Sequence, residues 1–156
     1  MILTSHVAVG IATAELIENP ALSWPTSFGL HFLFDLVPHW DALTGASKER
    51  EIRPWRWVVM IFDIVLGLTL GLTFVLRALW FEGKPFKAFN ILGACFFSIL
   101  PDLIELPYVL LKKHFGPSKA ILKVQQKLHW RLNLPWGLFP QLLVAGAAIF
   151  LALTTA

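Results

Sequence analysis

The amino-acid sequence predicts an all-α protein: a polytopic integral membrane bundle of about five transmembrane or membrane-embedded helices, forming one domain over residues 1–156. Three observations carry that expectation. Hydrophobic residues make up 56% of the chain and charged residues 15%, against about 25% charged in a soluble domain. Mean hydropathy is +0.67, so there is too little polar surface to coat a water-soluble globule. Long apolar runs alternate with short charged stretches, and the seven tryptophans fall at or near the ends of those runs, where the amphipathic indole prefers to sit. The single cysteine, Cys95, excludes an intrachain disulfide.

The segments follow in order. Residues 2–17 and 24–37 are apolar but shorter than a comfortable span, and are read as either tilted or lining the bundle interior. Residues 57–76 have Asp63 as their only charge and match the roughly 20 residues a spanning helix needs. Residues 88–111 are interrupted by Pro101, Asp102, Glu105 and Pro107, and residues 134–156 carry no charge. The first segment is not expected to be a signal peptide, since it lacks a basic n-region and carries His6 where such a region would lie.

Basic residues set the expected orientation. Lys48, Arg50, Arg53 and Arg56 follow segment two, while Lys112, Lys113, Lys119, Lys123, Lys127 and Arg131 separate segments four and five. Those ten face Lys84 and Lys87 in the opposite loop. The asymmetry places the two rich loops in the cytoplasm, the N-terminus inside and the C-terminus outside, in the cytoplasmic membrane of a bacterium or archaeon.

The polar residues within apolar runs suggest chemistry. An aspartate at a helix centre costs about 2.5–3.5 kcal/mol on the insertion scale, so such residues face an interior and have partners. At spacing four the segments present His6, Gly10 and Ala14; Ser27, His31 and Asp35; Asp63, Gly67 and Gly71; and Asn90, Ala94, Ser98 and Asp102. Small residues allow close helix approach in membranes. Four such stripes turned inward would gather His and Asp in one cavity near the cytoplasmic face. The expected metal-ligand set is His6, His31, Asp35, His39, Asp63, Asp102 and His129. Without cysteine partners this set suits a hard or borderline divalent cation: zinc first, with Mn, Fe or Mg open, and two or more ions. His31 and Asp35 at i, i+4 are also spaced for an intrahelical hydrogen bond. Pro38 is expected to end segment two, and Pro101 to break segment four so that Asp102 projects from the break. Glu105 and Asp41 are the candidate general bases, and Arg53, Arg56 and Arg131 the candidate phosphate contacts.

Thr4-Ser5-His6, the run Gly29-Leu30-His31-Phe32-Leu33-Phe34-Asp35-Leu36-Val37-Pro38-His39, and Leu100-Pro101-Asp102 resemble signature elements of the membrane-bound metal-dependent hydrolases, which are similar in turn to zinc-dependent phospholipase C. The resemblance implies an all-helical hydrolase of phosphoesters with ligands at His6, His31, Asp35 and Asp102. The expected function is therefore hydrolysis of a lipid or isoprenoid phosphoester near the cytoplasmic face, with membrane lipid as partner and no nucleic acid. A divalent-cation transporter or channel and a non-catalytic membrane scaffold are the competing classes, because buried His and Asp also line ion paths and fix helix packing.

Overall fold

A computed structural model describes residues 1–40, 53–111, 116–128, 130 and 132–155. These residues form six α-helices: α1 (Leu3–Leu16), α2 (Pro20–Phe34), α3 (Pro54–Leu76), α4 (Pro85–Leu111), α5 (Gly116–Leu128) and α6 (Leu138–Thr155). A π-helical turn, Arg77–Phe81, prolongs α3.

The core of the bundle is α1. Every residue from Thr4 to Ala14 is buried, with α2, α3, α4 and α6 packed around it. At 1.5 Å per residue its 14 residues reach roughly 21 Å, and the 15 of α2 roughly 22 Å, against a hydrocarbon thickness of about 30 Å. Among the described residues, three helices are long and apolar enough to cross a membrane: Pro54–Phe81, Pro85–Pro107 and Leu138–Thr155. The expectation of about five spans is corrected accordingly: segment one is an interior helix, while segment two buries Ser23, Ser27 and His31 against the bundle and leaves Leu22 and Leu33 exposed on its other side. The outer faces of the three longer helices carry Val58, Phe62, Leu68, Phe89, Leu142, Leu143 and Phe150, all exposed. Apolar surface of that extent suits lipid contact rather than water.

Local signals start α2 and α3. Asn19 accepts from the Ala21 backbone N–H at 3.0 Å, and prolines occupy the first positions of both helices, where the missing N–H is harmless. Helix α1 has no such signal, and its neighbours cap it instead. At its start, Asp63 of α3 accepts from the backbone N–H of Leu3 at 2.6 Å, that of Thr4 at 3.1 Å, and the Thr4 hydroxyl at 2.6 Å. At its end, the Asn90 amide of α4 donates to the carbonyls of Ala14 at 3.3 Å and Ile17 at 2.8 Å, while the Asn90 Oδ1 accepts from Ser23 of α2. With little water at this depth, unmet backbone groups need protein partners.

Small residues set the crossings. A Cβ at Gly10 would lie 2.9 Å from the Ala94 carbonyl oxygen and 2.9 Å from Cys95 Cα, so the α1 and α4 backbones nearly touch. The stripe of Asp63, Gly67 and Gly71 lies along α1 from Leu3 to Val7. Helix α4 runs past Pro101 without ending, which corrects the expected break: Pro101 only leaves the Phe97 carbonyl without its usual donor.

Helix directions follow from these contacts. The starts of α1, α3 and α6 and the ends of α2 and α4 gather at one end of the bundle. The opposite end is tied by Lys87, which reaches Glu15 at 2.8 Å and Glu82 at 2.9 Å, with Arg77 3.3 Å from Glu82. The Lys87 hydrogen bond holds the Glu82 carboxyl below its usual range. Tryptophans mark both ends: Trp55, Trp130 and Trp136 are exposed at the first and Trp80 at the second. Trp24 and Trp40 pack inward instead. Trp24 donates to the Asn90 carbonyl at 3.2 Å, and Trp40 is buried.

Candidate metal centre

At the first end, the polar stripes of α1, α2 and α4 meet. His6, His31, Asp35 and His39 are at most 1% exposed. The His6 and His31 rings stack with centroids 4.0 Å apart. Asp35 lies between the histidines: its Oδ1 is 3.4 Å from His6 Nε2 and 3.9 Å from His39 Nε2, and its Oδ2 is 3.4 Å from His31 Nε2. The same Oδ1 accepts from the Met1 amine at 2.9 Å. From α4, Asp102 Oδ1 comes within 3.5 Å of His31 Nε2. One donor atom each from His6, His31 and Asp102 lie within 4.8 Å of one another, close enough to hold a metal ion. Asp102 is 40% exposed, so the cluster has an accessible edge on the α4 side.

Backbone acceptors orient two of the rings. His31 Nδ1 sits 2.7 Å from the Ser98 carbonyl oxygen, and His39 Nδ1 sits 2.7 Å from that of Val37. A carbonyl can only accept, so in each ring Nδ1 carries a hydrogen and Nε2 is the atom that faces Asp35. That is the outer-shell arrangement that orients histidine ligands. Among the described residues, His6 Nδ1 has no hydrogen-bond partner. Its backbone is held in register by the Ser98 hydroxyl, which donates to the His6 carbonyl at 2.6 Å. Ser98 therefore fixes both stacked histidines from α4, one through its side chain and one through its carbonyl.

His39 is carried by a short extended stretch after α2. Its N–H donates to the Trp130 carbonyl at 3.0 Å and its carbonyl accepts from Leu132 N–H at 2.8 Å. Gln141 of α6 braces the same region: it accepts from the Ile2 N–H at 2.6 Å and donates to the carbonyls of Trp40 at 3.0 Å and Gly137 at 2.8 Å.

The structure brings together His6, His31, Asp35, His39 and Asp102. It gives Asp63 another place: both carboxylate oxygens accept hydrogen bonds at the start of α1. Glu105 is half-buried one turn beyond Asp102. Arg53 is exposed as the residue capping α3, and the Arg56 guanidinium lies 5.5 Å over the Trp55 ring, so both stand at the cluster end. Asp41, His129 and Arg131 lie outside the described residues.

Sequence reasoning missed Gln125. The stretch read as a basic loop forms α5, and Gln125 enters the cluster from it, with Nε2 3.1 Å from both His31 Nε2 and Asp102 Oδ1. A signal was present. Lys119, Lys123 and Lys127 recur every four residues and are exposed, which leaves Ser118 and Gln125, both buried, on the opposite face.

Fold and site together define a helical bundle with three candidate membrane spans and a buried His/Asp cluster at one end. In comparisons with family models, curated proteins and solved structures, nothing matches this chain.

Proposed function

We propose that the chain is a metal-dependent hydrolase that cleaves a lipid or isoprenoid phosphoester at the membrane surface, in the manner of the membrane-bound metal-dependent hydrolases its motifs resemble. The observation that carries this reading is the His6, His31 and Asp102 group, within 4.8 Å and open on one side at Asp102. The donor set fits a divalent cation: it holds oriented imidazole lone pairs and carboxylates with no thiolate, the mixture that suits zinc, manganese or iron. When bound, such an ion activates water and neutralises charge on a phosphoryl oxygen.

The chain's own residues supply the rest. His6, His31 and Asp102 hold the ion, with Asp35 and His39 beside them. Glu105, one turn past Asp102, is placed to take a proton from the attacking water. Arg53 and Arg56 attract and orient the phosphate. The bilayer delivers the substrate laterally, its headgroup at the level of the cluster. The basic residues at this end support a cytoplasmic placement, with the N-terminus inside and the C-terminus outside.

The test is turnover of anionic phospholipids and isoprenoid phosphates in detergent and in liposomes, after chelation and with Zn or Mn returned. Hydrolysis is expected only with metal. Asp102→Asn should lower kcat/KM by about 100-fold or more, which is about 2.7 kcal/mol of transition-state stabilisation. Arg56→Ala should act mainly on KM, since it supplies charge and not the nucleophile. Divalent-cation flux through protein-containing liposomes, lost in Asp102→Asn and unaccompanied by any turnover, would replace the hydrolase by a transporter.

A further inference from the structure

We infer that Gln125 of α5 is an exchangeable fourth ligand of the metal centre, occupying the coordination position a substrate or water would use. The inference rests on the metal reading above and adds to it.

The argument begins with distances. A tetrahedral ion with bonds of about 2.0–2.1 Å sets its ligand atoms roughly 3.3 Å apart. His31 Nε2 and Asp102 Oδ1 are 3.5 Å apart, and the Gln125 amide nitrogen is 3.1 Å from each. The three atoms form a triangle the size of one face of such a tetrahedron. The His6 donor lies within 4.8 Å of the donors of His31 and Asp102, near enough to complete the set after a small shift of the ring. Gln125 therefore stands at ligand distance from anything His31 and Asp102 bind together.

The amide is equipped for exchange. Its N–H group faces a lone pair on His31, whose Nδ1 donates to Ser98, and a carboxylate oxygen on Asp102. Rotation about the terminal side-chain bond swaps nitrogen for Oε1, a neutral oxygen donor of the kind Mn, Fe and Zn accept. A neutral amide binds a cation more weakly than a carboxylate does, so it is the ligand most readily displaced.

Helix α5 packs on α4, with Gln125 5% exposed on the inner side and Val124 44% exposed beside it. Lys119, Lys123 and Lys127 project outward. Catalytic metal sites keep one position open, whereas four protein ligands close a site. With Gln125 bound the centre is closed, and with the Gln125 amide displaced by water or substrate a position is freed.

Cobalt(II) substitution tests this on the full chain in detergent, because tetrahedral cobalt absorbs more strongly in the visible than five- or six-coordinate cobalt. Wild type should bind Co(II) with an intense tetrahedral spectrum. Gln125→Ala should give a weaker spectrum of higher coordination number and about tenfold weaker binding. Gln125→Glu should restore the intensity and bind at least as tightly as wild type. Lys123→Gln, on the outer side of the same helix, should match wild type and shows that α5 is not merely damaged. A Gln125→Ala protein with wild-type spectrum and affinity overturns the ligand role while leaving the metal centre standing. Wild type that binds no cobalt overturns both.

Discussion

Two carboxylates of the same chemistry have different tasks here, and their neighbours decide which. Asp63 faces the backbone N–H groups of Leu3 and Thr4 at the start of α1, where the positive end of the helix dipole also favours a carboxylate. Asp102 faces His31 and Gln125. Removing Asp63 orphans the Leu3 and Thr4 N–H groups with little water to replace it. Asp63→Ala should therefore cost about 2–3 kcal/mol of stability, from lost charge-assisted hydrogen bonds and unsatisfied donors, with metal stoichiometry unchanged. Thermal unfolding in detergent and elemental analysis measure the two separately. Loss of metal without loss of stability would make Asp63 a ligand after all.

At the scale of the element, the close crossing of α1 and α4 is what keeps His6 in register with Ser98 and His31. Gly10 permits that crossing, because a Cβ there would meet backbone atoms of Ala94 and Cys95, which cannot swing aside as a flexible side chain can. Gly10→Ala should force the helices apart, at about 1–3 kcal/mol, and weaken metal binding by stretching the 2.6 Å bond from Ser98 to the His6 carbonyl. Gly29→Ala is the matched control: a Cβ there meets nothing within 4 Å, so metal content should stay as in wild type and stability should hold or rise by about 0.5–1 kcal/mol from alanine's better helix propensity. Equal loss in both variants would mean that the Gly10 contact with α4 is not what limits stability.

Over the whole molecule, helix directions put the cluster, Arg53 and Arg56 at one end and the C-terminus of α6 at the other. Helices α3, α4 and α6, an odd number of candidate spans, lead to the same outcome. In a Cys95→Ala background, a membrane-impermeant thiol reagent on intact cells should label Thr154→Cys, at the exposed end of α6. Lys123→Cys, on the exposed side of α5, should be labelled only after lysis. The reverse pattern would invert the orientation, and labelling of both from outside would put the two ends on one side of the membrane.

Composition and hydropathy alone determine that this chain is helical and membrane-like, because apolar runs at these lengths leave few other ways to satisfy a backbone away from water. Period-four stripes likewise picked out the inward faces of α1 to α4, since burying an ionisable or polar group in such a run is costly wherever it has no partner. That cost says a partner must exist, and it does not say which one. Only tertiary structure assigned Asp63 to the start of α1 and Asp102 to His31, reduced the candidate spans from five to three by wrapping longer helices around α1, and turned a lysine-rich loop into α5 with Gln125 at the cluster. Each of these depends on atoms distant in the chain coming within hydrogen-bond reach, 60 residues apart for Leu3 and Asp63 and 94 for His31 and Gln125, and a local pattern carries no information about so distant a neighbour.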